Sequence, residues 1–180
     1  MSEKLNIVDE QGNIIGEASR EQIHREGLLH REIHIWFVTP ELEIIFQRRA
    51  DDKDTFPSLL DATVGGHVDL GESFETAAVR ETKEESGLSI ALGELAPIRT
   101  THTKSHDAVT GMTNHALRKV FRYIYIDDIA KLAVEEGIAT GFEAWPLEKL
   151  TNISEDDAKK FIPSMLSDDM LNFYQQLFDS

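Results

Sequence analysis

The decisive stretch of this 180-residue chain reads Gly66-His67-Val68-Asp69-Leu70-Gly71-Glu72-Ser73-Phe74-Glu75-Thr76-Ala77-Ala78-Val79-Arg80-Glu81-Thr82-Lys83-Glu84-Glu85-Ser86-Gly87-Leu88. A glycine loop is followed by a predicted helix over residues 74–85, with a serine cap before it and a glycine stop after it. Glu81 lies three residues before Glu84 and four before Glu85, so the three carboxylates share one side of that helix. Like charges so placed repel one another unless a cation lies among them, and Mg²⁺ prefers carboxylate oxygens and substrate phosphates. The stretch therefore predicts a phosphate and metal site.

The same stretch resembles the signature of the Nudix hydrolases, which we place at residues 66–88. Thr82 departs from the pattern, because an aliphatic residue is usual there, and we expect only a small packing loss. The matching positions are Gly66, Glu72, Arg80, Glu81, Glu84, Glu85, Gly87 and Leu88.

The remaining pattern predicts one α/β (α+β) domain over residues 1–180. Strands mix with helices, which favours an α/β sandwich, and the resemblance likewise implies the Nudix fold, an α/β/α sandwich with a mixed β-sheet. The tail, about residues 153–180, is predicted helical, with Phe161, Met165, Leu171, Phe173, Leu177 and Phe178 buried. Predicted strands cover residues 5–9, 14–18, 30–39, 42–48, 60–64, 90–101, 117–126 and 142–146, with a first helix after Ser19.

The acidic residues of this stretch are the candidate metal ligands and catalytic groups. Glu84 and Glu85 are the first candidates, with Glu81 beside them as a ligand or as the group that positions water. Glu72 lies at the helix start, where it either compensates the helix dipole or lies close to the metal. Arg80 joins the catalytic set, although its spacing favours pairing with Glu84 or binding loop carbonyls, and the resemblance implies a structural role for it.

The candidate phosphate-binding groups come from two places. Arg48, Arg49 and Lys53 are concentrated positive charge after a buried strand, and an arginine with a lysine can clamp a diphosphate. Gly65 and Gly66 let the backbone approach a phosphate or a metal closely.

A wider resemblance links the chain to the Nudix branch that contains isopentenyl-diphosphate isomerase. That isomerase uses a cysteine where this chain has Gly65, and a later pair of glutamates where it has Asn114 and Ala116. The isomerase therefore stays only as an alternative, and a module that senses a nucleotide without turnover is the non-enzymatic alternative. The segments that carry the resemblance are His30-Arg31, Gln47-Arg48-Arg49, Lys53, Phe56-Pro57 and Gly66-His67-Val68.

Three features stay open. The isomerase binds a metal at the positions that match His30 and His67, so the resemblance implies a candidate metal site there. His34 could converge with them, and His24 could join them, although its spacing to His30 differs by one residue from the family pattern. The general base is Glu81 or a later glutamate, with Glu135, Glu136 and Glu143 as candidates. Trp36, Phe46 and a polar loop at 103–113, flanked by His102, His106 and His115, are the candidate substrate contacts.

Composition restricts the partners. A net charge of −15 disfavours nucleic acid and anionic membranes, and the absence of cysteine excludes a thiol nucleophile. The sequence shows neither a signal peptide nor an apolar run long enough to cross a membrane, so a cytoplasmic location is expected. We therefore predict a Mg²⁺-dependent hydrolase, with Mn²⁺ as a substitute, that attacks a small-molecule diphosphate with water. Oligomeric state is left open, a homodimer included.

Overall fold

The computed structural model describes residues 3–179, in which nine strands form one mixed β-sheet with helices on both faces. This arrangement confirms the predicted α/β sandwich. Met1, Ser2 and Ser180, which belong to the predicted domain and tail, lie outside the described residues. The strands are β1 (Lys4–Val8), β2 (Ile14–Ser19), β3 (His30–Val38), β4 (Glu43–Arg49), β5 (Leu60–Asp61), β6 (Val64–His67), β7 (Ala96–His106), β8 (Thr113–Ile124) and β9 (Ala139–Pro146); the helices are α1 (Arg20–Glu26), α2 (Phe74–Ser86), α3 (Leu147–Thr151), α4 (Glu155–Ala158) and α5 (Asp168–Gln176).

Strand β3 lies in the middle of the sheet and is apolar on both faces. Ile33, Ile35 and Phe37 point to the face that α2 covers. Trp36 and Val38 point to the opposite face, which the C-terminal helices cover. Because successive side chains of a strand alternate between faces, an apolar run of this kind requires cover on both sides. The two hydrophobic cores follow from this one strand.

The pairing of β3 places the glycines of the decisive stretch. Strand β6 runs antiparallel to β3, with Gly65 opposite His34 and Gly66 opposite Ile33. Strand β8 runs parallel to β3 along its other edge, from Ala116 opposite His30 onwards. The two glycines are therefore strand residues, and the loop predicted at this point starts only after His67.

Helix α2 has the predicted ends. The Ser73 side chain accepts a hydrogen bond from the Thr76 amide at 3.1 Å, and the Thr76 hydroxyl accepts one from the Ser73 amide at 2.9 Å. Gly87 ends the helix in the left-handed region, at φ 73°, which glycine adopts without strain. Thr82 is fully buried, and its hydroxyl donates to the Ala78 carbonyl at 2.7 Å, so the departure from the family pattern leaves no unpaired polar group.

Two predicted segments are wrong. The predicted loop at 103–113 is mostly a hairpin, because β7 continues to His106 and β8 begins at Thr113, with alternating threonines in β7 that suit a strand. The predicted strand at 60–64 is two short strands that pair with different partners, β5 with β4 and β6 with β3.

The tail is helical, as predicted, but in short pieces. Phe161, Phe173 and Leu177 are buried as expected and pack with Trp36 and Phe46. Met165, Leu171 and Phe178, also expected to be buried, are only partly buried. None of the helices within residues 3–179 is both long and apolar enough to cross a membrane.

Candidate functional site

A cavity of about 1060 Å³ opens beside the C-terminal part of β6 and the second half of α2. Arg80, Glu81, Glu84 and Glu85 line it from the helix. Gly65, Gly66 and His67 line it from β6, so the strand and the helix present their functional groups to one space. The other walls come from β4, the hairpin of β7 and β8, and the segment 162–170.

Gly66 of β6 and Glu81 of α2 lie in direct contact at the wall of this cavity. A Cβ atom on residue 66 would stand 2.2 Å from the Cδ and Oε1 atoms of Glu81, closer than any real contact. Glycine is therefore required at position 66 so that the glutamate can lie over the strand. The sequence predicts a phosphate or a metal close to Gly66. In the structure, the Glu81 carboxylate makes that close approach.

The pKa values of Glu81 and Glu85 lie above that of an ordinary glutamate. Burial raises the pKa of Glu81 to about 7, although the Arg80 guanidinium opposes the shift. Burial raises the pKa of Glu85 to about 8, with the charge of Glu81 adding to the increase. Glu85 is held in place by Gln47, whose amide donates to Oε2 at 3.0 Å, and by the amide of Gly65 at 3.3 Å.

Glu84 completes the set of three carboxylates and is the exposed member. It lines the same cavity, and its only ion pair in the described residues is with Arg80 at 3.0 Å. The helix spacing has thus brought Glu81, Glu84 and Glu85 to one space, as the sequence indicated. Three carboxylates with one arginine between them are a donor set that fits a divalent cation, because hard oxygen ligands suit Mg²⁺ or Mn²⁺ and a cation would relieve their repulsion.

Arg80 connects the helix to the strand and to the loop between them. Its Nε and Nη2 atoms donate to the two carboxylate oxygens of Glu72 at 3.0 and 2.9 Å. Nη1 donates to Glu81 and Glu84, and Nη2 also donates to the His67 carbonyl at 3.0 Å. The geometry is that of a residue that positions carboxylates, and both pairings considered from the sequence are present.

Glu72, a candidate metal ligand, does not line the cavity. Both its oxygens are engaged by Arg80, and Oε2 also accepts the Asp69 amide at 3.2 Å. These bonds lower the pKa of Glu72, with the Arg80 bond as the largest cause. The arrangement favours a role in ordering the loop. Asp69, which the sequence did not single out, lines the cavity instead.

The three basic residues at the end of β4 and just after it do not share one site in the structure. Arg49 and Lys53 line the cavity. Arg49 pairs with Asp61 at 3.0 Å and donates to the Thr55 carbonyl at 3.1 Å, whereas Lys53 has no carboxylate partner within residues 3–179. Arg48 does not line the cavity; it donates to the Ser58 carbonyl and pairs with Glu143. Neighbours in a strand point to opposite faces, so Arg48 and Arg49 cannot serve the same site.

Only two of the four candidate general bases line the cavity. Glu81 and Glu135 line the cavity, but Glu143 and Glu136 do not. Glu143 pairs with Arg48 and accepts a hydrogen bond from the indole of Trp145 at 3.2 Å. Position in the cavity therefore favours Glu81 or Glu135 as a base.

A second group of possible metal ligands lies next to the first. One ligand atom from each of His24, His30, Glu32 and His67 lies within 4.8 Å of the others. His24 and His30 each place Nδ1 against a backbone carbonyl, of Arg20 at 2.8 Å and of Leu28 at 3.1 Å. Nε2 of each ring then points into the cluster: that of His24 lies 3.4 Å from Nε2 of His67, and the fully buried Nε2 of His30 has no hydrogen-bond partner.

Charge states in this histidine cluster suit a cation. Burial lowers the pKa of His67 to about 3, so its ring is neutral at neutral pH. The pKa of Glu32 is held well below its usual range, chiefly by His30 and Arg118 against the opposing effect of burial, so it is a carboxylate. His34 is not a member of the cluster; it lies beside Gly65 and burial lowers its pKa to about 3.

Glu32 and Arg118 are site residues that sequence reasoning missed. Arg118 donates to Glu32 through Nε at 3.1 Å and Nη2 at 2.8 Å, and Asn114 donates to the other oxygen at 2.8 Å. The register, with Glu32 opposite both His67 and Arg118, brings them together. An acidic residue within a buried central strand was the signal that could have revealed Glu32, because such a residue is rarely buried unless it is paired.

Several predicted substrate contacts are elsewhere. Trp36 and Phe46 are buried in the core under the C-terminal helices and cannot stack on a substrate. The rings of His102, His106 and His115 contact Glu10, Thr113 and the Gly27 carbonyl, respectively, and do not line the cavity. The hairpin contributes Thr103, Lys104 and Ser105 to the cavity instead.

Comparison with known proteins gives both sequence relatives and structural neighbours. A Nudix hydrolase of Clostridium acetobutylicum is 41% identical over 99 residues, covering 53% of this chain and 48% of that protein. The chain thus spans about half the length of the curated relatives it matches.

Two solved structures share the fold. The crystal structure of DR0079 from Deinococcus radiodurans has a TM-score of 0.69 at 21% identity, over 98% of this chain and 99% of that one. The Nudix domain of Shewanella oneidensis NrtR, complexed with ADP ribose, has a TM-score of 0.56 at 17% identity, over 84% and 86%. The family model of the Nudix domain matches residues 28–165, and the chain therefore belongs to the Nudix family.

Proposed function

We propose that this protein is a Mg²⁺-dependent hydrolase that cleaves the diphosphate bond of a nucleoside diphosphate derivative or another organic diphosphate. The observation that carries the proposal is that Glu81, Glu84 and Glu85 face the same cavity as Arg49 and Lys53. Carboxylates that suit a divalent cation and cations that suit phosphate are the two halves of a diphosphate site. Relatives named as Nudix hydrolases, and a structural neighbour complexed with ADP ribose, support this reading.

Each side chain has a distinct part in this proposal. Glu81, Glu84 and Glu85 hold the metal, and Mn²⁺ can replace Mg²⁺ because it accepts the same oxygen ligands. The bound metal would neutralise phosphate charge and favour ionisation of a water molecule. Arg49 and Lys53 bind the non-bridging phosphate oxygens, and Arg80 keeps the carboxylates in place. Water attack on phosphorus then releases a phosphomonoester and a second phosphate-containing product.

The base that accepts the proton of the attacking water is Glu81 or Glu135. Glu81 is held by Arg80 beside Gly66, whereas Glu135 is exposed at the cavity rim. The variant Glu135→Gln separates the two, because it removes only the second candidate. Loss of turnover in that variant would assign the base to Glu135.

The test of the proposal is the substitution Glu84→Gln, with Glu155→Gln on the exposed helix α4 as the matched control. Turnover of a susceptible diphosphate, measured by chromatography of the phosphomonoester product across a panel of organic diphosphates, should fall by orders of magnitude in the first variant. Its melting temperature should stay unchanged or rise, because one of three repelling charges is removed. Unaltered turnover in Glu84→Gln would refute the proposal.

The site offers little to support the isomerase alternative. Proton transfer at carbon needs a matched acid and base. Position 65 has no side chain, and the amide of Asn114 is used to hold Glu32. Incubation with isopentenyl diphosphate and Mg²⁺ should yield no allylic isomer, and its appearance would replace hydrolysis as the proposed reaction.

A further inference from the structure

The cavity has an apolar wall that the proposed chemistry does not use. The strand order runs β7, β8, β3, β4 and β5, so Ile162, which bonds to β5, lies toward the opposite edge of the sheet from the hairpin. The wall consists of Phe56, Ile138, Ile162, Met165 and Met170, which line the same cavity as Glu81, Arg49 and Lys53. We propose that this wall binds an apolar, uncharged organic group attached to the diphosphate, and that Met165 and Met170 set the preference for it.

The wall is held rigidly next to the phosphate-binding residues. Ile162 donates its amide to the Leu60 carbonyl at 3.1 Å, which fixes the tail against β5. The next residue of β5, Asp61, pairs with Arg49 at 3.0 Å. Strand β5 therefore connects the wall, through Ile162, to Arg49, the residue proposed to bind phosphate.

Two hydrogen bonds of its backbone hold Met165 in place. Its amide donates to the Ile162 carbonyl at 2.8 Å, and its carbonyl accepts the hydroxyl of the fully buried Tyr174 at 2.9 Å. The side chains of Met165 and Met170 are partly buried and line the cavity, and both also pack against the core under the C-terminal helices, where the Met165 sulfur lies 3.9 Å from the Tyr174 hydroxyl. Thioethers are polarisable and adapt their shape to an apolar or aromatic ligand.

Phe56 closes the wall from the loop before β5 and is unusually placed. Its side chain is 47% exposed, and its backbone lies in the left-handed region at φ 50°, which a large residue rarely adopts. The carbonyl of the preceding Thr55 accepts the bond from Arg49 at 3.1 Å, so the arginine orders the loop that presents the ring. A strained, exposed ring beside a phosphate-binding residue is explained by contact with a ligand.

Charge supports the same assignment. The chain has 33 acidic residues, yet the tail contributes only Ile162, Ser164, Met165, Ser167 and Met170 to the cavity, none of them charged. An anionic group at this wall would meet no free cation on the tail. An apolar group would displace water from the methionines and gain free energy in proportion to the area buried.

This inference rests on the proposed function, because it assigns the organic part of the same substrate. The test uses non-hydrolysable methylene-bridged diphosphonates that carry either a phenyl or a methyl group, with Mg²⁺ present, and measures their dissociation constants by calorimetry. The wild-type protein should bind the phenyl compound about tenfold or more tightly, which corresponds to about 1.4 kcal/mol. The double variant Met165→Gln/Met170→Gln should lose most of that ratio, because glutamine keeps the length of methionine but adds a polar amide.

The control is Met112→Gln in the turn of the hairpin, a methionine that does not line the cavity and should leave the ratio unchanged. The inference is overturned if the wild type binds both compounds equally, or if the double variant keeps the full ratio. A protein that prefers the phenyl compound but does not hydrolyse its cleavable counterpart would keep this inference and remove the proposed function. The two failures are therefore distinct.

Discussion

The carboxyl group of Glu81 lies over Gly66 so closely that any side chain at position 66 would collide with it, with a Cβ atom 2.2 Å from Cδ. The strand and the helix that carry these two residues are packed face to face, so the contact depends on both. It makes the glycine a condition for the position of a functional glutamate.

Gly66→Ala should move Glu81 out of the cavity and reduce hydrolysis by orders of magnitude. Overpacking of this kind also costs about 1–3 kcal/mol of unfolding free energy. The measurement is turnover together with a denaturant unfolding curve. Gly93→Ala is the control, because a Cβ there meets nothing within 4 Å. An alanine variant with wild-type turnover would show that Glu81 need not occupy this position.

Arg80→Lys should destabilise the protein although it keeps the charge. A lysine cannot reproduce the paired bonds from Nε and Nη2 to the two oxygens of Glu72. Hydrogen bonds to charged groups in such a setting are worth about 1.5–3 kcal/mol, and we expect a loss in that range. Chemical denaturation measures it, with the exposed Arg25→Lys as control. Equal stability of the two variants would argue against the positioning role.

Stability should depend on pH through Glu81 and Glu85. Their folded pKa values, about 7 and about 8, lie above the ordinary value of 4.5. The folded protein therefore holds protons that the unfolded chain releases, and this contribution is complete below pH 4.5 and lost as the pH rises through 7 to 8. The melting temperature, followed across this interval, should fall less in Glu81→Gln/Glu85→Gln than in the wild type.

Mg²⁺ should oppose that loss, because it binds the ionised carboxylates. The rise in melting temperature on adding Mg²⁺ should be larger at about pH 8 than at about pH 5.5. Sodium chloride at the same ionic strength is the control for screening. An equal rise in melting temperature at both pH values would show that Mg²⁺ binding does not involve Glu81 and Glu85.

The cluster of His24, His30, Glu32 and His67 should bind one transition-metal ion, separate from the ion proposed for the acidic helix. Imidazole ligands favour such metals over Mg²⁺. Co²⁺ is a suitable probe, since nitrogen ligation changes its visible absorption spectrum. His24→Asn, at the partly buried edge of the cluster, should abolish the change, whereas His102→Asn should keep it. If Co²⁺ gives the same absorption spectrum with both variants, the ion does not bind at this cluster.

Local rules in the sequence were enough for several elements of the fold. The ends of α2 follow from Ser73 and Gly87, whose capping and left-handed geometry need no tertiary contact. Residues 103–113, the end of the hairpin of β7 and β8, are predicted as a loop because their polar side chains hide the strand pattern. What stabilises it is pairing along β3, which only the folded sheet provides.

The sequence by itself determined which carboxylates act together, because the spacing of Glu81, Glu84 and Glu85 on one helix fixes their common side. Only the tertiary structure decided which groups face them. Strand alternation sent Arg49 to the cavity and Arg48 to Glu143, and the register of β3 brought Glu32 to His67. Residues far apart in the chain meet through sheet pairing and the packing of the tail, and no local spacing encodes those meetings.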